Sequence, residues 1–288
     1  MPLAITTQLA VFMPSIVKAA GLGPAMFTLC LGMGLLVLAI WSVVIVTQRV
    51  VRLCQRHPLA PATRGKRWRD RVVLLLALLA AGCLVYSAIE PYWLEVTHVD
   101  VPCVKLPAGA KPIRIVHFSD THSEGRMRLE GKLPGLIAEQ KPDIICFTGD
   151  SLNDMTGQQH FQTLMMELTK IAPVYVVQGN WDTRRPLSKT ELYGDAPVHL
   201  LTARAERLII DGQPIWIAGA PEHRPDIDRA LANVNADEPV VLLHHVPSII
   251  LDLPGRGVDL CLSGHTHGGQ IAMPFYGALT TLTSTGKR

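Results

Sequence analysis

Five short apolar runs constrain this chain more than anything else in it, because each leads directly into side chains that bind metals. Residues 113–118 run into Ser119-Asp120-Thr121-His122, and residues 143–147 into Thr148-Gly149-Asp150. Residues 174–177 run into Gln178-Gly179-Asn180-Trp181-Asp182, and residues 240–243 into His244-His245. Residues 258–262 lead, past Ser263, into Gly264-His265-Thr266-His267-Gly268-Gly269. Runs this short, apolar and rich in β-branched residues read as strands buried on both faces. Helix-like stretches at 125–140 and 158–171 separate the first three. Residues 208–217 read as a hairpin turning at Asp211-Gly212. Alternating strands and helices with added hairpins predict an α/β layered domain over residues 112–288. A connector, residues 90–111, precedes it, with an edge strand expected around 93–101.

Ligands of open α/β sheets collect at the carboxyl ends of the strands. Here those ends would gather two carboxylates, one amide and several imidazoles. A mixed oxygen and nitrogen set suits Mn²⁺, Fe or Zn²⁺ better than Ca²⁺ or Mg²⁺, which prefer oxygen alone. Each piece by itself is weak, since a D-x-H arises by chance and a strand-end Asp is often a helix cap. The order carries the signal: Asp120 with His122, Asp150 thirty residues on, Asn180 thirty further, then an H-x-P at 245–247 and a G-H-x-H at 264–267.

The first third of the chain has a different character. Residues 26–46 and 72–89 are uncharged over 21 and 18 positions, in a chain with a mean hydropathy of +0.25. A bilayer core of ~30 Å needs roughly 20 apolar residues in a helix, so both read as membrane spans of an N-terminal hairpin. The alternative for 72–89 is a buried core helix. The first run starts too late and is too long for a signal peptide. Residues 4–17 are also apolar but contain Pro14, and leave open a third span or an interfacial segment. Residues 47–71 hold eight bases against one acid. Short loops rich in Lys and Arg stay in the cytoplasm, which places everything after Ile89 outside. That loop carries +7 and Lys18 adds one; with the chain at +3, residues 72–288 carry −5. The outer domain therefore lacks the electrostatic footprint of nucleic-acid binding. The basic loop suits anionic lipid heads on the inner face. Six cysteines without a C-x-x-C pair demand no disulfide framework, and Cys146 and Cys261 read as small core residues.

With these motifs in place, residues 112–287 resemble the calcineurin-like metallophosphoesterases. Gly264-His-Thr-His-Gly-Gly-Gln-Ile271, followed by Pro274-Phe-Tyr-Gly277, is similar to their membrane-associated YkuE/YaeI-like branch. The resemblance implies a layered α/β/β/α sandwich and a site of two divalent metal ions, Mn²⁺ foremost, with Fe or Zn²⁺ as alternatives. It implies that Asp120, His122 and His267 hold one ion, that Asp150 bridges, and that Asn180, His245 and His265 hold the other. Asp120, Asp150, Asn180 and His265 would be the catalytic set. Two ions ~3.5–4 Å apart can activate a bridging hydroxide and clamp the phosphoryl oxygens, so no protein nucleophile is needed.

The sequence departs from the family pattern in two places. Many members have His after the Asn of the third motif, a residue thought to protonate the leaving group; here the slot holds Trp181. A branch that cleaves UDP-2,3-diacylglucosamine has Arg there, so activity does not require His. Trp181 fits a leaving group of low pKa, a stacking surface, or a packed indole. Asp182 is a candidate support for the loop. Asn153 stands where G-D-x-x-D expects Asp, with Asp154 beside it. Relatives also continue with further strands, so the domain is expected to be truncated near Arg288.

Other residues are weighed more briefly. His117 reads as core, His160 as helix surface, and His244 as a neighbour of the ligand His245. Glu222-His223-Arg224 is a candidate substrate contact. Ser119 and Ser263 have no Ser-His-Asp order behind them. The leading function is a metal-dependent phosphomonoesterase or phosphodiesterase in the cell (inner) membrane, facing away from the cytoplasm. Its expected partners are the lipid bilayer and a phosphoester substrate, with lipid-linked esters as candidates, and not nucleic acid. The alternatives are a catalytically weak membrane-bound sensor on the same fold, and a single structural zinc held by His265 and His267.

Overall fold

The structure is a computed structural model that describes residues 24–54, 63–185, 187–269, 272–273, 277–278 and 283. The chain divides into two compact units, Met1–Val96 and Thr97–Arg288.

In the first unit, helix α1 (Pro24–Cys54) and helix α2 (Arg64–Ile89) are both long and apolar enough to cross a membrane. Their apolar side chains are not spent on a protein core: Leu36 is 60% and Leu78 70% exposed. That pattern suits a hydrocarbon solvent, and residues 72–89 are not covered as a core helix would be. Polar groups inside the helices are satisfied locally, as where Ser42 Oγ donates to Leu38 O (2.8 Å) and Ser87 Oγ to Leu84 O (2.8 Å). Both helices run beyond the uncharged stretches into the basic segment, so Arg49 and Arg52 end α1 and Arg64, Lys66, Arg67, Arg69 and Arg71 begin α2. Thr63 caps α2 by accepting from Lys66 N (3.3 Å). The Arg69 guanidinium stands 5.5 Å from the Trp41 ring centroid. Residues 4–17 lie outside the described residues.

The second unit is built on two four-stranded sheets. The first has the order β1 (Ile115–Phe118), β2 (Ile144–Phe147), β3 (Val174–Val176) and β4 (His199–Leu200), all parallel. The second runs β5 (Arg204–Ile210), β6 (Gln213–Gly219), β7 (Val240–Leu243) and β8 (Leu260–Leu262), antiparallel only at β5–β6. Side chains of a strand alternate between its faces, and the packing follows that rule. Ile145 and Phe147 of β2, with Val174 and Val176 of β3, pack outward under helix α4 (Gln158–Thr169). Ile144, Cys146 and Tyr175 face the other way, against Ile215, Ile217, Val241 and Leu243 of the second sheet. Ala218 and Leu242 point to the far side, against the short helix Ile227–Leu231 and the 3₁₀ turn Pro247–Asp252. The layering is therefore α/β/β/α. Phe147, Phe161 and Tyr193 form the aromatic centre of the outer core, with ring centroids 5.5 and 5.8 Å apart.

Local chemistry sets the element ends. The β5–β6 hairpin turns at Asp211 (φ 49°) and Gly212 (φ 81°), both left-handed as a two-residue turn of this hand requires. The helix expected over 125–140 is reduced to α3 (Leu133–Glu139). Pro134 can begin a helix but not continue one from upstream. Before it, the buried Glu130 carboxylate accepts from Arg128 N (2.9 Å) and Leu129 N (3.0 Å), which holds a non-helical turn. The edge strand expected at 93–101 does not form: these residues are unpaired, and Trp93, Val99 and Val101 are exposed. Further along, the connector is fixed to the second unit by Lys105 Nζ, which donates to Gly257 O (2.8 Å) and Asp259 Oδ2 (2.7 Å). Beyond residue 269 only β9 (Ala272–Met273), β10 (Gly277–Ala278) and residue 283 are described, so the expected C-terminal truncation falls largely outside the described residues. Cys146 is buried between the sheets, Cys261 packs on the far face, and both are free thiols.

Candidate metal centre

The parallel strands of both sheets deliver their last residues to one place. From the tip of β1 come Asp120 and His122, from β2 Asp150, from β3 Asn180, from β7 His245, and from β8 His265 and His267. The structure brings all seven together in two overlapping groups. Asp120, His122, Asp150 and His267 each offer a ligand atom, and these atoms lie within 4.8 Å of one another. His122 Nε2 is 3.3 Å from His267 Nε2 and 3.5 Å from Asp150 Oδ2, while His267 Nε2 is 3.4 Å from Asp120 Oδ1. In the second group His245 Nε2 is 3.0 Å from Asn180 Oδ1, 3.2 Å from His265 Nδ1 and 3.3 Å from Asp150 Oδ2. One oxygen, Asp150 Oδ2, belongs to both.

These residues fit cations on chemical grounds. His245 Nδ1 donates to Thr148 O (2.8 Å), since a carbonyl only accepts, and this turns Nε2 towards the site. His122 and His267 likewise bring ring nitrogens together among carboxylate oxygens, an arrangement without enough protons to satisfy every pair. Burial works against ionisation of Asp150, but the bond and charge of His245 and the N–H of Trp181 (2.8 Å) hold its carboxyl below the usual range. Burial keeps His122 and His265 below the ordinary imidazole value, so both favour the neutral form that ligates.

The backbone is shaped for the purpose. Asp120 (φ 56°), His122 (φ 42°), Asp150 (φ 59°), His265 (φ 70°) and His267 (φ 48°) all sit in the left-handed region. Asp and His enter that region more readily than most residues, yet each such position costs of order 1–3 kcal/mol. Tight bonds hold the loops there. Asp120 N donates to Gly149 O (2.9 Å), His122 N to Asp150 O (3.1 Å), and His265 N to both Asp120 carboxylate oxygens (3.1 and 3.0 Å). Gly179 touches the site so closely that a Cβ there would lie 2.3 Å from Asp150 Oδ1 and 2.8 Å from His245 Nδ1.

Asp182 supports this arrangement from below. Its carboxylate, on a residue only 5% exposed, accepts from Asp150 N, Ser151 N and Gly179 N, each at 2.9 Å. Burial pushes its pKa up against the pull of those three N–H groups. Trp181, in helix α5 (Asn180–Arg184), meets the His122 ring edge-on at 5.4 Å between centroids, so it lines the site. Asp154 does not replace the missing carboxylate at 153; it caps the turn Met155–Gly157 by accepting from Thr156 N (2.8 Å) and Thr156 Oγ1. The Asn153 backbone bonds to Ser123 O (2.9 Å) and to the Arg185 guanidinium (2.9 Å).

The flanking residues divide between core and rim. His244 is buried and its Nδ1 donates to Ala220 O (3.1 Å), away from the ligand atoms. His117 bonds Thr148 Oγ1 (2.8 Å), and burial pushes its pKa down to about 4, as a core imidazole requires. His160 bonds Gly125 O (3.2 Å), and Glu222 bonds Thr183 Oγ1 (3.3 Å) at the end of α5. Arg128 escaped notice in the sequence: its guanidinium donates to His122 O (3.2 Å) from a loop with no regular pattern.

Comparison with known proteins agrees with this geometry. Residues 113–269 match the family model of the calcineurin-like phosphoesterases. The chain is 32% identical to the uncharacterized metallophosphoesterase YkuE of Bacillus subtilis over 71% of its own length and 76% of that protein's. It is 28% identical to a Danio rerio transmembrane protein with a metallophosphoesterase domain, over 84% of this chain and 60% of the relative. It is also 28% identical to the phosphodiesterase YaeI of Escherichia coli, over 65% of this chain and 72% of that one. Strand-tip ligands, the α/β/β/α layering and these matches agree: the chain belongs to the calcineurin-like metallophosphoesterases, hydrolases of phosphoester bonds.

Proposed function

We propose that this protein hydrolyses phosphodiesters or phosphomonoesters with two divalent cations, of which Mn²⁺ suits the donor set best. Asp120, His122, Asp150 and His267 would hold one cation, and Asp150, Asn180, His245 and His265 the other. The observation that carries this reading is Asp150 Oδ2, which stands within 3.5 Å of a ring nitrogen in each group. When bound, such a pair supplies a nucleophilic water at neutral pH and neutralises phosphoryl charge. The chain's own residues do the rest. Asp182 fixes the Asp150 loop, the Thr148 carbonyl orients the His245 ring, and Trp181 forms one wall beside His122.

The exposed apolar surfaces of α1 and α2 support anchorage in a cell (inner) membrane as a multi-pass protein. The bases that end α1 and begin α2 support a cytoplasmic turn, and with it an extracytoplasmic phosphoesterase unit. A site tethered beside a bilayer favours lipid-linked or envelope phosphoesters as substrates, with no role for nucleic acid.

The test is metal analysis of the purified full chain together with hydrolysis of bis(p-nitrophenyl) phosphate with and without Mn²⁺. Two cations per chain and Mn²⁺-dependent turnover are expected, and Asp150→Ala should lose both cations. A single cation retained by Asp150→Ala would refute the shared site.

A further inference from the structure

The rim of the site beside His122 carries a feature that the hydrolytic reading does not use. Trp181 and Arg184 lie three residues apart on α5, and therefore on one face of it. The Arg184 guanidinium carbon is 5.8 Å from the centroid of the Trp181 indole, and that indole stands nearly perpendicular to the His122 ring at 5.4 Å between centroids. Stacking of this kind holds a cation in place. Arg184 is exposed and has no carboxylate partner among the described residues. Two neighbouring guanidinium groups are already engaged: Arg128 pairs with Glu124 (3.3 Å) and donates to the His122 carbonyl, and Arg185 donates to Asn153 O (2.9 Å). One fixed and unneutralised positive charge thus stands one ring's breadth from a metal-site histidine. Trp181 can donate a hydrogen bond but cannot transfer a proton near neutral pH.

We infer that Trp181 and Arg184 restrict the site to phosphoesters whose leaving group departs unprotonated, as a weakly basic anion received by Arg184. The inference rests on the phosphoesterase reading above and names its substrate class. In the step, a water oxygen bonds to phosphorus and its proton goes to solvent. The bond from phosphorus to the leaving oxygen breaks, and both electrons stay on that oxygen. The departing anion then lies against the guanidinium, where a charge-assisted hydrogen bond replaces the proton that Trp181 cannot give.

The test uses the full chain in detergent with Mn²⁺ and a series of methyl aryl phosphates, from nitro-substituted to unsubstituted phenols. The wild-type kcat should fall steeply as the leaving phenol becomes more basic. Trp181→His should flatten that dependence by restoring a proton donor. Arg184→Gln should lower kcat about tenfold or more while KM changes little, the mark of an interaction made in the transition state. Equal wild-type rates across the series, or an unchanged kcat in Arg184→Gln, would overturn the inference. A second readout is independent of turnover. The calorimetric ratio of pyrophosphate to phosphate affinity should drop about tenfold in Arg184→Gln, and an unchanged ratio sinks the role of Arg184. Absence of turnover with every divalent cation would defeat the phosphoesterase reading instead, and the affinity ratio would still decide this one.

Discussion

Replacing Asp182 separates the support of the metal site from its ligands. The wild-type carboxylate collects three backbone N–H groups, two on Oδ2 (Asp150 and Gly179) and one on Oδ1 (Ser151), all at 2.9 Å in a buried setting. Asp182→Ala leaves three buried donors without acceptors. At about 1–3 kcal/mol for each orphaned group, partly relieved by entering water, the expected loss is about 3–5 kcal/mol. Asp182→Asn keeps the shape. Its amide oxygen can take the place of Oδ2 and keep two bonds, while its NH₂ faces Ser151 N–H, so the loss falls to about 2 kcal/mol. Domains are stable by only about 5–15 kcal/mol, so the Ala variant should be severely weakened and the Asn variant should fold. Denaturant unfolding of the full chain in detergent, followed by tryptophan emission, gives both values. Cation affinity of the folded Asn variant gives the positional consequence, because the displaced Asp150 backbone carries the shared oxygen. Losses below about 1 kcal/mol for Asp182→Ala, or an Asn variant less stable than the Ala one, would refute this account of the three bonds.

Three further predictions follow from other parts of the structure. Gly179→Ala should fold yet bind cations at least tenfold more weakly by calorimetry, because its Cβ would press on Asp150 Oδ1 and His245 Nδ1; wild-type affinity would show that the loop yields freely. Phe161→Ala should cost about 3–5 kcal/mol in the same unfolding assay, since it empties the space between Phe147 and Tyr193; a cost near that of a surface residue would contradict the packing. His117 titrates near 6.5 when unfolded and near 4 when folded. Its neutral form is therefore favoured by folding, and its contribution is complete above about pH 6.5 and lost as pH falls towards 4, by at most about 3 kcal/mol. His117→Gln should flatten the acid limb of stability between those values, and an unaltered limb would assign it to other groups.

The sequence made the site legible because strand tips are where both patterns change at once. An apolar run such as 143–147 ends where Gly149-Asp150 begins, and chemistry and geometry force the two to coincide. Layering was legible for the same reason, since Ile144 and Ile145 can only face opposite cores. Over 125–140 the apolar spacing hides a turn held by Glu130, whose carboxylate bonds leave no mark in a pattern. Residues 93–101 form no strand because β-rich composition does not supply a neighbour to pair with. Arg128 and Arg184 were invisible: exposed or loop arginines are common, and only the fold shows which of them stand beside His122.

Five of the seven side chains of the site, Asp150 among them, hang from peptides of inverted handedness. Their directions are thus set by crossed loops and by the sheets beneath, more than by residue identity. A designer who copied the seven letters onto ordinary strand-to-helix turns would aim most of them elsewhere. What must be transplanted is the pair of tips on β1 and β2, with Gly149 between them and Asp182 behind them, and the histidines only afterwards.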